Sequence, residues 1–406
     1  MFEFQIEPIH ADWSNGSAME FLVGDVNALI QRSYQDTFDF YQRQFGVYAF
    51  MSITRDKTFK LHYISGSSLL IQSHDSCAWT PNGTMTMKNK ELTPTRLKIN
   101  IEQCYDELFD SAFDAYYEYA TGDLVQYSEV GMRWIQEMLN FVAAAATLSL
   151  RATLTGGQLF PADVALRANT DTSVEVGFRR QMASMKGWMR LVLDLATEPG
   201  MSYLNSNVLT QADIATGGRQ IKDTVSILDK YDAIRASAPR ELNRALTIQG
   251  VTGVDVMVPI VLCSYSVIER LARERDEIAQ NVQLEDSRIT RQTFTTDTPR
   301  GQRTISVFFI DETAFIPVDS LGVYTQHMEF EPHFMFATMS GVIQMGGSFQ
   351  AVPIPGTANV GLRVEIGQGI RDAGMYRVGA HMLAAVAINS TKYLAGSYVL
   401  SPTTNA

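Results

Sequence analysis

Arg96-Leu97-Lys98-Ile99-Asn100-Ile101, followed shortly by Asp106-Glu107-Leu108-Phe109-Asp110-Ser111, is where the chain changes its hydrophobic period. In the first segment Leu97, Ile99 and Ile101 fall on one face and charged or amide side chains on the other, which predicts a half-buried strand. From Asp106 the pairs Leu108/Phe109, Ala112/Phe113 and Tyr116/Tyr117 repeat every four residues, predicting a helix with Asp106 as its cap and Gly122 as its end. A second helix is predicted from Ser128 through Val130, Trp134, Ile135, Met138, Leu139, Val142 and Ala146 to about Arg151, stopped by Thr155-Gly156-Gly157. At 1.5 Å per residue it is about 35 Å long, enough to serve as the spine of a domain, with Trp134 and Leu139 on its buried face.

Upstream, Leu22, Val26, Leu29 and Ile30 lie at helical spacing within Phe21–Phe45, a pattern that fits either a core helix or an arm reaching to a neighbouring subunit. Between Phe50 and Ile101 the sequence turns β-rich. Phe59-Lys60-Leu61-His62-Tyr63-Ile64 reads as a strand, Asn82-Gly83 is a tight-turn signal, and Thr84 to Lys88 alternates again. Thr80 to Pro94 is polar, carries Lys88, Lys90 and Glu91, and has little to bury within its own subunit, so it reads as a projecting hairpin. An ordinary solvated hairpin has the same composition.

Downstream, helices are predicted over Met182–Leu195, from Ile221 to Tyr231 and from Pro239, and a strand over Val254–Pro259. Ser266 with Glu269 makes a capping box for a helix whose stripe is Val267, Leu271 and Ile278, with Glu269/Arg273 and Arg270/Glu274 as pairs on its exposed side. Arg303–Ile310 reads as a strand, Gly341–Gly369 as Gly- and β-rich, and Gly379–Ser401 as alternating small and apolar residues.

The chain has 406 residues, 46% of them hydrophobic and 19% charged, so it can bury a large core. A net charge of −11 argues against gripping nucleic acid through a basic surface, although a lining that merely encloses DNA can be acidic. Cys77, Cys104 and Cys263 are too scattered for a disulfide framework or a zinc site and read as buried thiols. The first residues lack the basic start of a signal peptide, and no apolar run is long enough for a membrane span, so a soluble, unexported protein is expected.

Phosphate-loop, nucleophile-elbow and HExxH motifs are missing, and Gly367-Gln368-Gly369 with Gly374 lacks the strand-to-helix context of a dinucleotide site. The suggestive cluster is Gln326-His327-Met328-Glu329-Phe330-Glu331-Pro332-His333, in which a strand would place His327, Glu329, Glu331 and His333 on one side. These are metal-ligand types, but the plainer reading is a solvated polar face on an edge strand marked by Pro332. No cofactor is expected.

The order of strand, Asp106-Glu107-Leu108-Phe109-Asp110-Ser111 corner and long helix ending in a Gly-rich turn resembles the major capsid proteins of tailed bacteriophages, the Hong Kong 97 type. Val256-Met257-Val258-Pro259 followed by the Ser266 helix resembles the strand and helix of that family's axial domain. The resemblance implies an α+β fold with an N-terminal arm (1–57), an extended-loop hairpin (58–104), a peripheral domain with the spine helix (105–218), an axial domain (219–374) and a closing return to the peripheral domain (375–406). It also implies a structural protein without catalytic chemistry that forms hexamers and pentamers and encloses double-stranded DNA in a virion after synthesis in the host cytoplasm. Scaffolding, portal and decoration functions would then sit on other chains, and Asn82, Gly83, Lys88, Lys90 and Glu91 become candidates for subunit contact. An encapsulin-like compartment shares this fold, and a metal-dependent enzyme using His327 to His333 is the remaining alternative.

Overall fold

The computed structural model describes residues 39–52, 59–66, 85–104, 149–159, 177, 180–204, 208–248, 258–281, 288–298, 301–318, 330–349, 362–366 and 375–400. The Asp106 corner, Trp134, Leu139 and the body of the predicted spine helix lie outside them, as does Phe21–Phe38 of the first predicted helix. Among the described residues the fold is α+β, with a five-stranded sheet, a six-stranded sheet and a two-stranded ribbon.

The five-stranded sheet is built around one long strand, β12 (Met375–Ile388). The predicted alternating strand is β4 (Thr95–Cys104), antiparallel to β12 over its full length from Thr95↔Ala384 to Cys104↔Met375. On the other edge of β12, β10 (Ile343–Phe349) pairs with 382–388 and β11 (Leu362–Ile366) with 376–380, so these two lie end to end. β1 (Tyr48–Ser52) adds in parallel outside β10. Strand periodicity splits β12 between two cores. Ala384, Val386 and Ile388 join the main core, while Leu383, Ala385 and Ala387 form a separate small cluster with Leu92.

The ribbon pairs β2 (Phe59–Gly66) with β3 (Met85–Leu92) in eight antiparallel steps, from Phe59↔Leu92 to Gly66↔Met85. Both strands fall within the 58–104 span expected to be a hairpin. The partner of β3 is 59–66, and Asn82 and Gly83 lie outside the described residues.

The six-stranded sheet has the order β13-β9-β5-β8-β7-β6. Its central strands, β5 (Pro259–Cys263) and β9 (His333–Met339), are buried at every position and read as continuous apolar runs because both faces are covered. β5 begins at Pro259, the last residue of the strand predicted over 254–259, of which 254–257 lie outside the described residues; Pro259 occupies the first position, where its missing N–H costs least. β8 is Thr313–Pro317, β7 Gly301–Ile310 and β6 Ile289–Thr298. β13 (Leu394–Val399) joins β9, so the 375–406 span divides between the two sheets.

Helices cover these sheets. α1 is Asp39–Phe45, α2 Trp188–Ala196, α3 Ile227–Ser237, α4 Arg240–Ile248 and α5 Tyr265–Asn281. The helix predicted over 182–195 is broken at 183–187, where Gly187 must lie against Gly157. A Cβ on Gly187 would sit 2.6 Å from the Gly157 nitrogen, and one on Gly157 would sit 2.3 Å from the Met185 carbonyl oxygen. The Gly187 N–H donates to the Gly157 carbonyl at 2.8 Å, so backbone closeness terminates the helical segment 149–156 and starts α2 together. From α2, the fully buried Trp188 meets Phe334 and Phe336 edge-on, at 6.4 and 5.8 Å between ring centres.

Candidate functional site

The candidate contact element is the β2–β3 ribbon. It forms a sheet of its own, and at its foot Leu92, 7% exposed, packs in the small cluster with Leu383, Ala385 and Ala387 on the outer face of β12. Of the sequence-predicted contact residues, Lys88 stands opposite Tyr63, Lys90 opposite Leu61 and Glu91 opposite Lys60. At about 3.3 Å per residue the ribbon is about 26 Å long. A lone two-stranded hairpin is marginal in water and needs a covering surface.

The predicted metal stripe does not form as read. His327 and Glu329 lie outside the described residues, and the strand begins only at His333. His333 is completely buried rather than solvated. Its Nε2 lies 3.2 Å from the Gly218 carbonyl, which can only accept, so Nε2 carries the proton. Nδ1 therefore accepts from the Ser266 hydroxyl at 2.6 Å. The chain continues as the Ser264 hydroxyl donating to Ser266 at 2.9 Å and the Phe334 N–H reaching Ser264 at 3.4 Å. Both imidazole nitrogens are thus committed to the protein, and burial pushes the ring's pKa down to about 4, holding it neutral. Glu331 is half-buried, and burial, with Glu269 nearby, raises its carboxyl. Among the described residues, no three His, Cys, Asp or Glu side chains gather as a metal site. At His333 the polar side chain marked an internal hydrogen-bond chain, because β9 is covered on both faces.

The same chain displaces the predicted capping box. Ser264 precedes α5, its carbonyl accepting the Val267 N–H at 3.1 Å, while Ser266 is spent on His333. Arg270 and Glu274, read as an exposed pair, are 5% and 6% exposed and serve other partners. Arg270 donates through Nε to the Val225 carbonyl at 2.8 Å and grips Glu277 with both terminal nitrogens at 3.0 and 3.1 Å. Glu274 accepts the Ile227 N–H at 2.7 Å and the Ser226 hydroxyl at 2.6 Å, so the start of α3 is capped from α5. Buried charges are kept only when satisfied in this way.

A further cluster had no sequence signal. Arg288 binds both Asp232 oxygens at 2.8 and 2.9 Å and also Asp311, which Arg235 reaches at 3.3 Å. Asp311 and Glu312 form the two-residue loop between β7 and β8 with φ of 46° and 66°, the signature of a type I′ turn. Arg288 is the main cause that holds the Asp232 and Asp311 carboxyls below their usual range. These groups pin a strained turn to α3.

Comparison with known proteins adds likenesses at low identity. No family model matches the chain, and no curated protein matches it. Among solved structures, it is similar to a chain of the satellite phage P4 procapsid including the size determination (Sid) protein, at 10% identity over 96% of this chain and 98% of that one, with a TM-score of 0.47. It is also similar to the capsid structure of the cyanophage P-SCSP1u, at 11% identity over 87% of each chain and a TM-score of 0.40. The holo-SrpI encapsulin complex of Synechococcus elongatus PCC 7942 is similar at 11% identity over 88% of this chain and 87% of that one, with a TM-score of 0.39. Among the described residues, no helix is long and apolar enough to cross a membrane.

Proposed function

We propose that the chain is a self-assembling shell subunit without catalytic chemistry, a major capsid protein of the Hong Kong 97 type that encloses double-stranded DNA in a virion. The observation that carries this reading is the β2–β3 ribbon, eight residue pairs hydrogen-bonded to each other as a separate sheet and footed on β12 at Leu92. Such a ribbon gains stability from a surface that covers it, and in a shell that surface belongs to a neighbouring copy. The Arg96–Ser111 resemblance supports the same assignment. Subunits would form hexamers and pentamers, with scaffolding, portal and decoration proteins supplied by other chains.

The test is the size of the purified full chain. Negative-stain microscopy and sedimentation should show hexamers, pentamers or closed shells of uniform diameter. A monodisperse monomer at every accessible concentration would contradict the assignment.

A further inference from the structure

We propose that α1 is a releasable guard, whose Gln42 amide occupies the outward backbone groups of Tyr48 and closes the edge of the five-stranded sheet against β1 of a second copy. The guard works within one subunit and stands apart from the shell reading. β1 is the terminal strand of its sheet, and among the described residues no strand pairs with its outer edge. The Val47 carbonyl accepts the Gly341 N–H at 3.3 Å on the β10 side, so the peptide groups of 47, 49 and 51 face β10 and those of 48, 50 and 52 face outward. Such a row of outward N–H and C=O groups is a template for pairing with another chain.

Gln42 interrupts the row at Tyr48. Its Oε1 accepts the Tyr48 N–H at 2.7 Å and its Nε2 donates to the Tyr48 carbonyl at 2.6 Å. A side-chain amide carries a donor and an acceptor as a peptide group does, so Gln42 stands in for one residue of an adjoining strand. Gly46 sets the reach. Its φ of 58° turns the chain back after α1, and its N–H donates to the Gln42 carbonyl at 2.9 Å.

The occupant kept out follows from the same parity. Two β1 strands related by a two-fold axis at Phe50 pair antiparallel with 48 opposite 52 and 50 opposite its copy, all of them outward positions. With Gln42 on Tyr48 in both copies only the central pair remains, too little to hold two strands together. The guard is releasable because α1 has seven residues, too few to persist as a helix alone. It is held by Phe40 and Phe45 against Phe294 of β6 at 5.3 and 6.1 Å, so the edge of one sheet is guarded by a helix fixed to the other. Undocking α1 opens Tyr48.

The experiment follows exchange of the Tyr48 amide by hydrogen–deuterium mass spectrometry, and sedimentation over a concentration series, for four full-length proteins. They are the natural chain, Gln42→Met, Gln42→Glu and Gln42→Met/Ser52→Pro. Methionine keeps the length of the side chain and loses both bonds, so Tyr48 exchange at low concentration should quicken about tenfold while β5 stays protected. Glutamate keeps the acceptor and loses the donor, and should fall between. As concentration rises, Gln42→Met should add a species that the natural chain lacks, and Tyr48 exchange should slow again within it. Ser52→Pro removes an outward N–H at an edge, where proline is tolerated, so the double variant should keep the fast exchange and lose the added species.

Unchanged Tyr48 exchange in Gln42→Met would overturn the guard, and so would a rise in exchange spread over β5 and β9, which would assign Gln42 to the stability of the whole fold. Fast exchange with no added species at any soluble concentration, or an added species that survives Ser52→Pro, would overturn pairing with a second copy. Each comparison is made against the natural chain's own assembly, so the outcome is the same whether or not that chain forms shells.

Discussion

The molecule carries two antiparallel ribbons that differ in what covers them. β6 and β7 pair over ten residues, and β8 continues the sheet only at 308–310, so 292–298 and 301–307 extend beyond it as a pair. That ribbon is covered by its own chain. Phe40 and Phe45 of α1 stack on Phe294 at 5.3 and 6.1 Å, Phe45 also reaches Phe309 at 6.2 Å, and Arg291 bonds Ser306 at 2.7 Å on the strands themselves. For β2–β3 the described cover is the patch under Leu92. The first ribbon is covered by aromatic side chains of its own chain, whereas the cover described for the second is the Leu92 cluster. On the shell reading proposed above, the first ribbon belongs to the body of the subunit and the second is the element that meets a neighbouring copy.

The body should fail when its own aromatic cover is removed, whatever the ribbon does. Trp188→Ala empties a fully buried site against Phe334 and Phe336 and should cost about 3–5 kcal/mol in denaturant unfolding, with loss of soluble protein. Phe45→Ala uncovers the β6–β7 ribbon and should cost about 3 kcal/mol. A Phe45→Ala protein with unchanged melting would show that α1 is not what stabilises that ribbon and would weaken the contrast.

Acid sensitivity must be assigned to the body before any low-pH loss of assembly is read as a ribbon effect. His333 titrates near 4 in the fold and near its ordinary 6.5 when unfolded, so the unfolded chain binds the extra proton first. Its contribution is fully present above pH 6.5 and is lost as pH falls toward 4, a decline of up to roughly 3 kcal/mol. Unfolding measured across that interval should flatten in His333→Gln, and an unchanged slope there would place the acid sensitivity elsewhere. The smallest effect on the monomer is expected at the other foot. Leu92→Ala should cost only about 2 kcal/mol in melting, because its cluster is small and lined by alanines, yet it should reduce assembly far more than Phe45→Ala.

What could be read in the sequence follows the range of the interactions concerned. β4 was legible because Leu97, Ile99 and Ile101 alternate with charged and amide residues, and Leu97 is half-buried where Arg96 and Lys98 are exposed. α5 was legible from Val267 and Leu271, both fully buried. The ribbon's existence was visible in its polarity, but its register was not, since Asn82-Gly83 signals a local turn and the pairing joins residues up to 33 positions apart, Phe59 with Leu92. Within the site, His333, Arg270 and Glu274 were seen but placed at the surface, and Ser266 was read as a helix cap. Their partners, Gly218, Val225 and Ile227, are backbone groups that leave no mark in a side-chain pattern. The Arg288 cluster was silent for the same reason of distance, its carboxylates lying 56 and 23 residues away.

The central claim, that the β2–β3 ribbon serves contact between copies and not the fold of its own subunit, is tested most directly by replacing residues 60–91 with a Gly-Gly turn and measuring melting and sedimentation on one preparation. A folded protein with near-natural melting that sediments as a monomer is the expected result. Particles of natural size, or a chain that no longer folds while Leu92→Ala still does, would contradict it.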